Sequence, residues 1–233
     1  MRLLGSIAVM GKLKRPGSVG NNADGFGEAL GVGASDPPNW ATLGSNAFQS
    51  SATSVSPPLG SLPGDGDLLI AHCQVVASGK TFGISGSGWI IGDTSSDGSA
   101  CWAWRIIDGT QTAPIFSWSG AAAAVARVIE WYNVGRNPIG NKSKASGSGT
   151  TVSLSGLTAS DISTAIFSIV CAQTVQTIPL NSGYTTIAVL SDSRGSYHYQ
   201  YQFGSSIGSS STAISTTITS AAWEAFLIEI KNA

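Results

Sequence analysis

"ARVIEWYNV" (126–134) and "AFLIEIKNA" (225–233) lie in different parts of one chain, and setting them side by side decides how the rest is read. Each is an apolar run holding a single glutamate, Glu130 and Glu229, at the same place. Read as strands, side chains alternate between faces, so Glu130 shares a face with Val128 and Tyr132 while Arg127, Ile129 and Trp131 lie on the other. One such match is weak, but matches continue upstream in the same order. "TSVS" (53–56) answers "TTVS" (150–153), and "GDGDLLIAHCQVV" (64–76) answers "TASDISTAIFSIV" (158–170). "SGWIIGD" (87–93) answers "SGYTTIA" (182–188), and "SACWAWRI" (99–106) answers "GSYHYQYQ" (195–202). The offsets run from about 94 to 99 residues and drift only at presumed loops, the mark of an internal repeat.

The repeated text is β-like. Runs such as "FQSSATSVS", "GWIIGD", "PIFSWS" and "AAAVARVIEWYNV" are punctuated by Gly, Ser, Asp and Pro. Composition agrees: Gly alone occurs 29 times and only 11% of residues are charged, which favours short strands over surface helices. A unit of about six strands leaves one apolar face uncovered, and two such units packed face to face bury both. The expectation is an all-β, jelly-roll-like sandwich over residues 45–233, with halves at about 45–134 and 139–233. Two independent barrels in tandem are the alternative. The join "GRNPIGNKSKASGSG" (135–149) carries a strand-like "NPIGNKSKAS", which favours the single sandwich.

Residues 1–44 hold no sustained period of 2 or 3.6 and are rich in Gly, Asn and Pro, so they read as an extended arm. Arg2, Lys12, Lys14 and Arg15 all precede the first acid, Asp24, and make the arm locally positive. These four can dock on an acidic partner or stay solvated; they form no dense patch, which favours solvation. The whole chain has a net charge of −1 and 42% hydrophobic residues, and outside the arm it offers no clustered basic surface for nucleic acid or anionic membrane. The apolar piece "LLGSIAVMG" lacks a small-residue cleavage site, so no cleaved signal peptide is expected. No run is long enough to span a bilayer as a helix. Cys73, Cys101 and Cys171 follow no metal or redox spacing and read as buried thiols, with one disulfide left open.

Signals for catalysis are weak. Glycosidases need a second carboxylate about 5–10 Å from the first, and none shares the face of Glu130 at a spacing of two. A glutamate duplicated in an equivalent strand slot reads as architecture. His72 and His198 have no partner at metal-ligand spacing, so no metal or other cofactor is implied. No G-x-S-x-G elbow or P-loop is present. The aromatics are more suggestive. Trp102 and Trp104 share one face of a strand, and Tyr197, Tyr199 and Tyr201 share one face of its counterpart. Ladders of this kind can form a platform for sugar rings, and Trp102, Trp104, Tyr197 and Tyr199 are the candidate glycan contacts. They also fill sandwich cores, and the polar alternation of His198, Gln200 and Gln202 favours the core, as it does for Trp89, Trp118, Trp131 and Trp223.

The sequence "GDLLIA", a "GW" strand, a "W-A-W" strand ending in "DGT", "EWYNV" and the closing "AAWEAFLIEIKNA" together resemble the jelly-roll modules of tailed-bacteriophage virion proteins, which serve as capsid decorations, head fibres or tail appendages. The resemblance covers about residues 45–233. It implies a non-enzymatic virion protein made in the host cytoplasm, binding other virion proteins of the capsid or tail through its arm, and assembling as a homo-oligomer, often a trimer. The competing expectation is a carbohydrate-binding adhesin, or receptor-binding module, that recognises a host-surface glycan through the strand aromatics.

Overall fold

The computed structural model describes residues 37–59, 63–110, 112–204 and 211–233. The cations Arg2, Lys12, Lys14 and Arg15, with most of the expected arm, lie outside the described residues. Eleven strands follow in order: β1 (Asn39–Val55), β2 (Leu68–Val75), β3 (Phe82–Ser85), β4 (Ile90–Thr94), β5 (Ala100–Ile106), β6 (Ile115–Tyr132), β7 (Val134–Thr158), β8 (Ala165–Ala172), β9 (Thr185–Asp192), β10 (Gly195–Phe203) and β11 (Ser211–Asn232). β1 therefore begins inside the stretch read as arm. "PIFSWS" and most of "AAAVARVIEWYNV" fuse into the single strand β6: Gly120, at φ 70°, lets the chain bend there, at the register shift where its partners in β1 step from Ala52 opposite Ala122 to Ser54 opposite Ser117.

Two antiparallel sheets result. The first has the order β1-β6-β2-β5-β4, with β3 added to β6, and the second has the order β7-β11-β8-β10-β9. Replacing each strand of the first path by its repeat counterpart generates the second. The sandwich of two related halves is thus real, and each half supplies one whole sheet. Asn133, the one non-glycine described in the left-handed region (φ 58°), carries the chain from the closing strand of the first sheet into the second.

Register fixes the repeat more finely than letters do. Leu69 lies opposite Glu130, and Ile166 lies opposite Glu229, so Leu69 and Ile166 are equivalent. Comparing "GDGDLLIAHCQVV" with "TASDISTAIFSIV" letter by letter sets Leu69 against Ser163, three residues away, and an odd slip exchanges the two faces of a strand. The same geometry pairs Trp102 with Tyr199, not His198, since Trp102 lies opposite His72 and Tyr199 opposite Ile169. The comparison of 87–93 with 182–188 is in register: β4 skips a residue between Ile91 and Asp93, and β9 carries the same irregularity beside Tyr199.

β2 and β8 are buried at every position, which explains why "LLIAHCQV" and "AIFSIVCA" are continuously apolar instead of alternating. Three cores account for this. Leu68, Ile70, Trp102 and Trp131 meet Phe167, Tyr197, Tyr199 and Phe226 between the sheets. On the outer face of the first sheet, Leu69, Ala71 and Cys73 pack under Val55, Phe116 and Trp118 from the long strands β1 and β6. On the outer face of the second, Ile166 and Val170 pack under Val152, Leu154, Ile214 and Trp223 from β7 and β11. The long strands thus cover the backs of their own sheets, and fully burying each large apolar side chain contributes roughly 1.5–3 kcal/mol.

The sheet edges are also joined. Lys144 Nζ lies 2.6 Å from Asp93 Oδ1 and donates to the Thr94 carbonyl at 2.7 Å, binding β7 to β4. At the other edge, the Arg194 guanidinium stacks 4.4 Å over the Phe48 ring, and Trp40 meets Tyr201 edge-on at 6.1 Å.

Candidate functional site

The glutamates Glu130 and Glu229 are both fully buried. Glu229 accepts hydrogen bonds from the Asn141 backbone N–H at 2.7 Å and the Ser160 hydroxyl at 2.6 Å, and the Ser160 backbone N–H also donates to it. A Cβ at Gly140 would stand 2.2 Å from Glu229 Oε2, so the missing side chain there makes room for the carboxylate. The glutamate locks β7 and the loop before β8 to β11. That is the architectural role the repeat suggests.

The candidate glycan platform is not open. Trp102, Tyr197 and Tyr199 are buried in the central core and Trp104 is half-buried against it, because the inner face of β5 and β10 is the one the opposite sheet covers. The rings act as core, as the alternation favours. Trp89 and Trp118 fill the first outer core, Trp223 the second, and Trp131 the centre.

Both histidines are buried and hydrogen bonded. His198 Nδ1 lies 3.0 Å from the Ile178 carbonyl and donates to it, while Nε2 lies 3.0 Å from the Thr186 hydroxyl. His72 lies at the centre of the sandwich, with the Tyr199 hydroxyl 3.1 Å from Nδ1 and the Cys171 sulfur 3.5 Å from Nε2. Burial pulls His72 down to about 3 and pushes Cys171 and Tyr199 well above their ordinary values. A working Cys–His pair needs the thiolate. Here burial drives both partners to their neutral forms, and the trio acts as a hydrogen-bonded core. Cys73 and Cys101 face each other across β2 and β5; burial pushes both up, Cys101 to about 12, and all three thiols are free.

Beside this trio lies a second cluster, built from side chains that the sequence patterns did not single out. Glu224 of β11 is fully buried and points into the central core from the same face as Phe226 and Ile228, opposite to the face of Glu229. Its Oε2 accepts from Gln74 Nε2 of β2 at 2.6 Å, and its Oε1 accepts from Gln173 Nε2 at 2.9 Å. The Ser99 hydroxyl, ahead of β5, lies against the same Oε1. That hydroxyl also lies 2.7 and 2.8 Å from the two carboxylate oxygens of Asp97, which accepts a further bond from the Ser95 hydroxyl at 2.7 Å. The available signal is the spacing of Glu224 and Glu229. An odd separation within one strand puts two carboxylates on opposite faces, and both faces of β11 are apolar.

The polar cluster is made across the joint, with Gln74 and Ser99 from the first half and Glu224 and Gln173 from the second. Burial first, and the nearby Asp97 charge second, push Glu224 up against the opposing hydrogen bonds, to about 7. Among the described residues, no group of three or more His, Cys, Asp or Glu side chains is placed to hold a metal ion. Compared with protein-family models, curated proteins and solved structures, the chain matches none.

Proposed function

We propose that this chain is a non-enzymatic virion structural protein of a tailed bacteriophage, of the capsid-decoration or head-fibre type, with the β-sandwich as its displayed body and the N-terminal arm as its attachment. The observation that carries this reading is where the reactive side chains lie. His72, His198, Cys73, Cys101 and Cys171 are all inside the body and bonded into or packed within its cores, so the side chains best suited to act as base or nucleophile serve as packing. A body whose potential chemistry is spent on cohesion suits a load-carrying module. The resemblance in strand-and-turn texture to phage jelly-roll modules supports the same reading, and a homo-oligomer presented in several copies fits it.

Tagged full-length protein and a chain starting at residue 37, which keeps all of β1, supplied during phage assembly, test it. The full-length protein is expected to co-sediment with purified particles. The truncated protein is expected to keep the same thermal transition yet stay at the top of the gradient. Equal incorporation of both would remove the arm from the mechanism, and failure of the full-length protein to enter any particle fraction would remove the virion reading itself.

A further inference from the structure

We propose that Glu224 is held protonated in the joint between the two halves, sharing one hydrogen-bonded relay with Ser99 and Asp97, and that losing its proton loosens the joint. The cluster has too few hydrogens for two ionised acids. The Ser99 hydroxyl has one hydrogen, and it lies against Glu224 Oε1 and both Asp97 oxygens. If both acids were ionised, that hydrogen would serve one carboxylate and leave the other pressing its lone pairs on the serine oxygen. A proton on Glu224 resolves the conflict: Glu224 donates to Ser99, and Ser99 donates to Asp97. The choice of acid follows from the surroundings. Asp97 also receives the Ser95 hydroxyl and the Ser99 backbone N–H, whereas Glu224 is fully buried with only two neutral amides as further donors.

No described cation offsets the charge of Glu224. Asp97 faces it from the β4–β5 turn, Cys171 lies opposite on β8, and Ser146 lies opposite on β7. His72 of β2 and Tyr197 and Tyr199 of β10 share the central core with it in neutral forms, and Arg127 of β6 directs its Nη1 to Asn46 at 3.3 Å. The same corner holds two polar atoms suited to water. Gln74 Oε1 and the Tyr197 hydroxyl are buried without a hydrogen-bond partner, and both would lie 3.4 Å from a Cβ on Gly195. Water entering as Glu224 ionises meets an acceptor and a donor already in place.

In the folded protein Glu224 sits at about 7, above the ordinary glutamate value of 4.5. Its contribution is fully present below 4.5 and is lost as pH rises through about 7. The test compares unfolding of the wild type and Glu224→Gln at several pH values across that window, together with infrared spectra. Relative to the variant, the wild-type unfolding constant is expected to rise up to tenfold per pH unit, and amide exchange to quicken in β2 and β11. The wild type is expected to show a protonated carboxyl band at about pH 5.5 that disappears by about pH 8.5 and is absent in the variant. Parallel pH profiles, or no such band at pH 5.5, would overturn the proposal. So would a wild-type midpoint that rises with added calcium and not with falling pH, which would make a cation, not a proton, the link between the carboxylates.

Discussion

The two halves share strand order and register yet differ where they meet. In the central core, His72 of the first half is answered by Ile169 of the second, Gln74 by Cys171, Val125 by Glu224, Arg127 by Phe226 and Trp102 by Tyr199. The hydrogen bonds of the core therefore cross between the halves: His72 to Tyr199 and Cys171, and Glu224 to Gln74 and Ser99. Had the polar residues stayed duplicated, two glutamates would occupy equivalent places on the two sides of one joint. Divergence has made the inner faces complementary, and polar pairs that fit in one arrangement help to fix register. The outer positions kept their likeness, as Glu130 and Glu229 illustrate.

The largest test of this comparison is acid. His72 is neutral when folded, because burial lowers it to about 3 from the ordinary histidine value of 6.5. Its stabilising contribution is present above 6.5 and lost as pH falls toward 3, at about 1.4 kcal/mol per unit. His72→Ile, which installs the second-half residue, is expected to flatten that acid limb. The cost at neutral pH is about 1–2 kcal/mol for the orphaned Tyr199 hydroxyl. Denaturant midpoints near pH 7 and pH 4.5 give both numbers. An unchanged acid limb in the variant would move the acid sensitivity to another group.

Packing supplies the next largest effect. A Cβ on Gly92 would stand 2.2 Å from the Trp102 ring, whereas the second half has Ile187 as the skipped residue at the matching bulge, beside the smaller Tyr199. Gly92→Ala alone is expected to destabilise by about 3 kcal/mol through overpacking. Trp102→Tyr in the same chain is expected to recover part of that loss. A double-mutant cycle measures the coupling, and additive losses would mean that the two positions had not adjusted to each other.

How much of this was legible beforehand depends on which signal each residue left. The repeat was legible because equivalent strands keep their order, and Glu130 and Glu229 mark its closing strands. The slip of "GDGDLLIAHCQVV" against "TASDISTAIFSIV" arose because strands covered on both faces have no alternation to fix phase. β3 was missed because "FGIS" is short and flanked by glycine and serine. Glu224 left only parity as a signal, and its partners Gln74, Ser99 and Gln173 come from three distant parts of the chain. Spacing within one strand cannot place them together.

Loop anchoring differs by a smaller amount. Arg105 is buried, and its guanidinium donates to the Ser87 carbonyl, to the Thr110 carbonyl at 2.7 Å and to Asp108 at 3.0 Å. Its counterpart Gln202 accepts from the Thr212 hydroxyl at 3.2 Å. Arg105→Gln, imposing the second-half residue, is expected to cost about 2 kcal/mol, since two carbonyls lose a charged donor. Faster amide exchange around Ser87 and Thr110 accompanies it. Asp108 is exposed, so Asp108→Ala should leave the unfolding midpoint where it is; an equal loss in both variants would make the ion pair, not the carbonyl contacts, the anchor.

The smallest effects lie at the two sheet edges, and they separate by salt. Lys144 reaches Asp93 at 2.6 Å with both side chains partly exposed, so Lys144→Ala is expected to cost under about 1 kcal/mol, through an ion pair that salt screens. At the opposite edge Arg194 pairs with Asp192 within its own turn, and what crosses between the sheets is its stacking on Phe48. Phe48→Ala removes that crossing contact and leaves the Arg194–Asp192 pair intact. Screening acts on exposed charge pairs more than on a ring face already in contact. In high salt the cost of Lys144→Ala should shrink while that of Phe48→Ala persists. Equal salt sensitivity would mean that both edges are held by charge alone, and that the different residues at the two edges do the same work.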